Sequence, residues 1–224
     1  MNGPATANDE DRFMKGTTTI GIVAKDGVVL ATERRVTAGS MISNKNAQKL
    51  FKIDENIGIT IAGLVGDAQV LARYLKAEVS LYRLRRSAPL NAEGAATLLA
   101  NILSGNRYYP YYAWLILGGT DGKGGHIFSV DPAGGCIEDR FVSVGSGSPF
   151  AYGIVEEGYS RDMSASDAVD LALRGLTAAM KRDSASGDGY LAHLITPKEY
   201  RELSDDEINK RLKALKIPLP PPLP

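Results

Sequence analysis

The residues of this chain that could do chemistry are hydroxyls, lysines and carboxylates, because the commoner catalytic types are scarce. There are two histidines, His126 and His193, and one cysteine, Cys136. Both histidines lie in apolar, strand-like stretches, which predicts satisfied core or edge positions, and nothing places a serine beside either one. Gly145-Ser146-Gly147-Ser148 lacks the spacing of a G-x-S-x-G nucleophile turn. Between Gly118 and the Gly122-Lys123 pair stand three residues where a phosphate loop needs four. Gly124 then replaces the hydroxyl residue that would hold magnesium, so a hairpin loop accounts better for that stretch. Clusters with metal-ligand spacing are absent from the sequence, and neither a metal nor a cofactor is expected. What remains is a hydroxyl that brings its own base. A terminal α-amine has a pKa near ~8, and on an N-terminal threonine it shares a residue with the nucleophile. Cutting between Gly16 and Thr17 would create such a terminus, and glycine tolerates the strained backbone that a self-attacking hydroxyl requires. On Gly16-Thr17-Thr18-Thr19 alone two readings stay open: a self-cut hydrolase, or a glycine that opens a β-branched strand.

The elements that would position such a residue are legible in the pattern of side chains. Thr17 to Val23 reads as a strand, Lys25-Asp26-Gly27 as a turn and Val28 to Thr32 as the returning strand of a hairpin. Ile57 to Ala62 is a further strand. After Gly66 the apolar period becomes helical through Val70, Leu71, Tyr74, Leu75, Leu81 and Tyr82. A second helix fits Asn91 to Leu103. Strands are predicted at Trp114 to Leu117, His126 to Val130 and Ile137 to Val144, separated by the turn-rich segments Gly118 to Gly125 and Asp131 to Gly135. Helices follow at Pro149 to Glu157 and from Ser164, where Ser164 and Asp167 form a capping-box pair. Leu191 to Ile195 is a late strand, and a helix from about Ser204 to Lys216 precedes a proline-rich tail, expected to be an extended, mobile arm. Segregated runs of strands and helices favour an antiparallel α+β fold, two sheets each covered by a helix pair.

Length and composition bound the function. A chain of 224 residues, 44% hydrophobic and 23% charged, suits one globular domain with a sizeable core. Lys and Arg total 26 and so do Asp and Glu, which removes any bulk electrostatic reason to bind nucleic acid or anionic lipid. No apolar run approaches the ~20 residues that span a bilayer, and residues 1–16 lack the apolar stretch of a signal peptide. One cysteine allows no internal disulfide and suggests a reducing compartment; Cys136 is expected to fill a strand as a small hydrophobe.

Six motifs then decide between the two readings. Gly16-Thr17-Thr18-Thr19-Ile20-Gly21, Ala31-Thr32-Glu33-Arg34-Arg35-Val36-Thr37, Gln48-Lys49-Leu50-Phe51, Ile61-Ala62-Gly63-Leu64-Val65-Gly66-Asp67, Gly145-Ser146-Gly147-Ser148-Pro149 and Arg182-Asp183-Ser184-Ala185-Ser186-Gly187 stand in the order seen in archaeal proteasome β-type subunits. From Gly16 to about Ile195 the chain closely resembles that family. The resemblance implies a four-layer αββα sandwich, the N-terminal-nucleophile hydrolase fold. It implies a propeptide of residues 1–16 removed autocatalytically at Gly16-Thr17, a catalytic domain of residues 17–216 and a tail of residues 217–224. Thr17 is implied as the nucleophile, Lys49 as a nearby ammonium, Glu33 as its partner and Gly63 as an oxyanion donor. Ser146, Asp183 and Ser186 are implied as a hydrogen-bonded shell around the terminal amine. Many relatives carry Asp where Glu33 stands, while Glu is usual in archaeal members.

For substrate, the resemblance implies that Thr37 and Val65 pair their backbones with an extended peptide. Val36, Ala47, Phe51, Ile61, Val65 and Gln69 would line an apolar pocket for the side chain before the cut. It further implies α subunits and other β subunits as partners in stacked seven-membered rings, an ATPase unfoldase acting indirectly, unfolded polypeptide as substrate and a cytoplasmic location. A non-catalytic structural β subunit and another N-terminal-nucleophile amidohydrolase are the competing readings. The first usually lacks an equivalent of Thr17, Lys49 or Glu33. The second would lack the paired Gly-Ser-Gly-Ser-Pro and Arg-Asp-Ser-Ala-Ser-Gly motifs.

Overall fold

β1 (Thr18–Ala24) and β2 (Gly27–Glu33) are buried along their whole length, the pattern of strands covered on both faces. They pair as the expected antiparallel hairpin, with Thr19 opposite Thr32 and Ala24 opposite Gly27. Here and below, the structure is a computed structural model that describes residues 16–221. Residues 1–15, most of the expected propeptide, and residues 222–224 at the end of the tail lie outside the described residues.

Each remaining element adds to one of two sheets or to the helices that cover them. β3 (Val36–Ala38) and β4 (Met41–Asn44) form a small hairpin. β5 (Leu50–Asp54) and β6 (Ile57–Gly63) follow, then α1 (Val65–Arg86) and α2 (Ala92–Gly105). β7 (Ala113–Asp121), β8 (Gly124–Val130), β9 (Cys136–Asp139) and β10 (Phe141–Gly145) come next. The chain closes with α3 (Ser148–Gly158), α4 (Ala165–Met180), β11 (Tyr190–Ile195), β12 (Tyr200–Glu202) and α5 (Asp205–Ala214). One five-stranded sheet runs β10-β1-β2-β11-β12 and the other β5-β6-β7-β8-β9, with every adjacent pair antiparallel.

Three apolar cores hold these layers. Ile20 and Ile22 of β1 and Val29 of β2 pack on Leu173 and Leu176 of α4 and Val155 of α3. Ile57, Ile59 and Leu115 of the second sheet pack on Leu71 and Leu75 of α1 and Leu99 of α2. Between the sheets Val23, Val28, Leu30, Leu50, Ile116 and Ile127 form the third core. Alternate residues of one strand thus serve different cores, as a two-residue strand period requires. The order of layers is helix, sheet, sheet, helix, and the fold is the expected αββα sandwich. Ser164 caps α4 by accepting from Asp167 N, and Asp167 closes the predicted capping box.

Four sequence expectations change. The run from Ile137 to Val144 is two strands in different sheets, because the chain crosses the sandwich at Arg140 and β9 pairs with β8 while β10 pairs with β1. Gly118 and Gly119 belong to β7, and the turn is confined to the residues after Asp121. A Cβ on Gly118 would come within 2.9 Å of Val28 of the facing sheet, so the glycine serves close packing there. Cys136 lies in β9 but is exposed. In the tail, Ile217 packs against the core under α4, and Leu219, Pro220 and Pro221 line a cavity with Arg34, Asp188 and Ile208. The tail's described part therefore docks on its own chain.

The histidines behave as expected. His126 is an edge residue that meets Glu138 at 2.7 Å and Asp121 at 3.2 Å. His193 is 2% exposed, with Nδ1 2.6 Å from the Tyr200 hydroxyl. Burial pushes its pKa from 6.5 down to about 4. The unfolded chain therefore takes up this proton more readily, so the His193 contribution is complete above about pH 6.5 and is lost as pH falls toward 4. Urea unfolding should show about 3 kcal/mol lost over that window from this residue. His193→Gln should flatten that part of the profile; an unchanged slope would show that His193 is not the titrating group.

Candidate active site

Thr17 stands at the entry to β1, 3% exposed, and β1 hands it to the end of the sheet where β2 finishes with Glu33. Lys49 lies one residue before β5 of the opposite sheet, with 2% exposure. The seam between the sheets thus brings together side chains far apart in sequence. Lys49 Nζ is 3.0 Å from Thr17 Oγ1 and also donates to Glu33 Oε1 and to the Arg35 carbonyl. The Thr17 hydroxyl in turn donates to the Gly16 carbonyl.

Glu33 is fully buried, and a buried carboxylate must find donors. It has them. Oε1 accepts from Thr18 N at 3.3 Å, and Oε2 accepts from Arg35 N at 2.6 Å and Gly187 N at 3.0 Å. Burial raises the Glu33 pKa, while Lys49 and the backbone donors pull it back. Burial likewise lowers the Lys49 pKa, opposed by Glu33. The ammonium is therefore more acidic than a surface lysine and sits beside the hydroxyl whose proton it could help to release.

A second network flanks Thr17. Ser186 and Ser146 each donate to Asp183 Oδ2 at 2.6 Å. With its proton committed to Asp183, Ser186 accepts from the Thr18 hydroxyl at 2.7 Å. Ala185 N adds a bond to Asp183 Oδ1 at 3.1 Å. Thr18 thus ties this network to Glu33 through its own backbone N–H. Thr18 has no role assigned from sequence; its one signal there is its place beside Thr17 in the Thr-Thr-Thr run, and its burial appears only in the fold.

Gly63 ends β6 with φ +104°, and a Cβ there would come within 2.3 Å of the Tyr112 carbonyl. Only glycine fits this position without strain. Ile61 N donates to Lys49 O and Leu64 N to Tyr112 O. Strand alternation therefore sends Gly63 N to the Lys49 side. A cavity of about 270 Å³ is lined by Thr17, Gly63, Trp114, Gly145, Ser146 and Ser148. Gly16 also has positive φ, +112°, and a Cβ on it would come within 2.4 Å of Thr37 Oγ1.

The expected substrate residues are more dispersed. Thr37 lies on β3, whose one strand neighbour among the described residues is β4, and Val65 opens α1, where backbone N–H groups lack helical acceptors. Ala47 N donates to the Arg34 carbonyl, and the Ile61 side chain is buried under α1. Val36 is half-buried on β3. Phe51 and Gln69 line a separate cavity of about 520 Å³ together with Leu50, Ala72, Lys52, Arg73, Lys76 and Glu202. Charge therefore borders a region expected to be mostly apolar and uncharged. Arg73 and Lys76 come from α1, one and two turns beyond Gln69, a proximity visible only once that helix is placed.

A two-sheet sandwich between helix layers, with a threonine hydroxyl at the head of its first strand, defines the N-terminal-nucleophile hydrolase class. Residues 13–194 match the family described as "Proteasome subunit", and the chain belongs to that family. Proteins named "Proteasome subunit beta" are 52% identical over 209 residues in Methanothermobacter thermautotrophicus, covering 93% of this chain and 99% of the relative. In Thermoplasma acidophilum the identity is 52% over 201 residues, covering 89% and 95%. In Ferroglobus placidus it is 50% over 207 residues, covering 92% and 99%. This chain is accordingly a component of a proteolytic assembly. Among the described residues, no helix is long and apolar enough to cross a membrane.

Removing one partner of a buried ion pair strands the other's charge. Glu33→Gln should therefore lower unfolding stability by about 3 kcal/mol, measured by denaturant titration. A loss below about 0.5 kcal/mol, the scale of a surface pair, would show that the two residues are not buried together as described.

Proposed function

We propose that this chain is a catalytic β subunit, a threonine endopeptidase, rather than a structural member of the same ring. The observation that carries the reading is the buried Lys49 ammonium 3.0 Å from Thr17 Oγ1 with Glu33 behind it. A structural subunit has no need to bury an ion pair beside a hydroxyl.

Residues 1–16 are read as a leader, residues 17–216 as the catalytic domain and residues 217–224 as its tail. Attack of the Thr17 hydroxyl on the Gly16 carbonyl carbon exchanges the amide for an ester on Oγ1. The nitrogen leaves with a proton as the free α-amine, and water hydrolyses the ester. In the mature chain that amine takes the hydroxyl proton, Lys49 stabilises the developing alkoxide, and Gly63 N–H meets the oxyanion of the substrate carbonyl. Ser146, Asp183 and Ser186 hold the amine, and water releases the acyl product.

An extended peptide adds beside β3 through Thr37 and meets Val65 on the other side. Phe51, with Val36, Ala47, Ile61, Val65 and Gln69, selects apolar side chains before the cut, and the nearby Lys52, Arg73 and Lys76, which outnumber the acidic Glu202 there, disfavour basic ones. Seven-membered rings of this chain stacked between α rings would enclose the site in the cytoplasm. Access would then be limited to chains unfolded by an ATPase.

Coexpressed with an α subunit, Thr17→Ala should keep residues 1–16 attached and lose peptide hydrolysis, while Thr17→Ser should retain part of it. Turnover by the alanine variant within about tenfold of wild type would exclude Thr17 as nucleophile. In a fluorogenic panel, peptides with Phe, Tyr or Leu before the cut should outpace those with Arg, and the reverse order would reject the proposed pocket.

A further inference from the structure

Arg35 does not touch Thr17, yet it touches both groups that serve it. Its backbone N–H donates to Glu33 Oε2 at 2.6 Å, and its carbonyl accepts from Lys49 Nζ. One residue thus fixes the carboxylate and the ammonium together, and whatever holds its backbone holds both.

The guanidinium is that anchor. Nε lies 2.7 Å from Asp188 Oδ2, Nη2 lies 3.2 Å from Oδ1, and Nη1 donates to the Ser184 carbonyl at 2.8 Å. Such a two-pronged pair fixes direction as well as distance. The Asp188 side chain is 7% exposed, and its backbone sits at φ +66°, a left-handed conformation uncommon outside glycine. A Cβ on Gly187 would come within 2.5 Å of the guanidinium, so a side chain there would displace the arginine from its present place. Gly187 N also donates to Glu33. The loop between α4 and β11, which also carries Asp183 and Ser186, therefore reaches Glu33 through Gly187 and Arg35 through Asp188.

We propose that the Arg35–Asp188 pair is a positioning clamp that sets Lys49 and Glu33 against Thr17, an assignment that rests on the reading of Thr17 as nucleophile. Neither residue touches substrate. The clamp acts through the Arg35 peptide groups, and a displacement of about 1 Å at such a place can cost up to about 10²-fold in rate. It also acts through charge. Burial is the main force lowering the Lys49 pKa and Glu33 the main one opposing it; Arg35 adds to the lowering and Asp183 opposes it. Asp188 balances the Arg35 charge and raises the Arg35 pKa through their hydrogen bonds.

The test uses particles assembled from an α subunit and the full chain carrying Asp188→Asn, Asp188→Glu, Arg35→Met or Arg35→Lys. The chain start is read by mass, and kcat and KM for an apolar fluorogenic peptide are read from about pH 6 to 10. Asp188→Asn and Arg35→Met should each lower kcat about tenfold with KM within about twofold of wild type, and Asp188→Glu should recover part of the loss. With Lys49 active as the ammonium, its loss of a proton sets the alkaline limb. Arg35→Met should move that limb up, whereas Arg35→Lys, which keeps the charge and loses the fork, should lower kcat with the limb in place. Unchanged kcat in Asp188→Asn and Arg35→Lys overturns the clamp. These two variants decide the matter even where Arg35→Met fails to assemble. Hydrolysis by a Thr17→Ala particle measured alongside would instead overturn the nucleophile, and the two failures are told apart.

Discussion

A lysine ammonium and a glutamate carboxylate held out of water beside a threonine hydroxyl are the constraint on which the rest of this structure depends. Exposed, such a pair contributes about 0–1 kcal/mol and orders little. Buried, each charge needs every available donor or acceptor around it. The Glu33 carboxylate collects Lys49 and three backbone N–H groups, from Thr18, Arg35 and Gly187. Those donors come from the first strand, from the residues after the second and from the loop before β11. The carboxylate is satisfied only when those three segments and the start of β5 have docked. Completing the charge network and completing this end of the sandwich are one event.

The sandwich explains why the hydroxyl and the ammonium meet. Thr17 belongs to one sheet and Lys49 to the other, and the core between them, built on Val28, Leu30, Leu50 and Ile116, sets their separation. Leu50 follows Lys49 directly and is fully buried, so the strand that packs the core also aims the lysine. On the far side of Thr17, the Asp183 network is carried by the loop that leaves α4, and α4 is pinned to β1 through Leu173, Leu176 and Ile20. Thr17 is gripped from both sheets and from one helix end, and Gly63 brings a backbone N–H from β6 to the same cavity. The site therefore depends on the register of strands more than on any loop acting alone.

Much of this was readable from the chain. β-Branched and apolar runs, with the Asp26-Gly27 turn, placed β1, β2, β6 and β11, helical period placed α1 and α4, and the Ser164–Asp167 box marked where α4 begins. The residues of the candidate site were legible as motifs. Composition alone left Thr17 open between nucleophile and strand opener, since a lysine and a glutamate elsewhere in the sequence carry no mark of proximity. Other features escaped for physical reasons. The chain crosses between sheets at Arg140, and a strand pattern continues across such a corner without a break in hydropathy. β3, β4 and β12 are too short for alternation to register, and β3 and β4 are too exposed as well. Arg35 and Asp188 read as ordinary surface charges until the fold places them beside one another. The proline tail looked unable to pack because it cannot join a ladder, yet Ile217 and Leu219 give it apolar contacts that need no ladder.

The central claim is that one residue holds both the free amine and the hydroxyl, and the intact mass of the β chain in a fully active particle tests it most directly. The account predicts a single species that starts at Thr17 and lacks residues 1–16. A particle at full specific activity whose chains still carry those residues, or start at any other position, would contradict it.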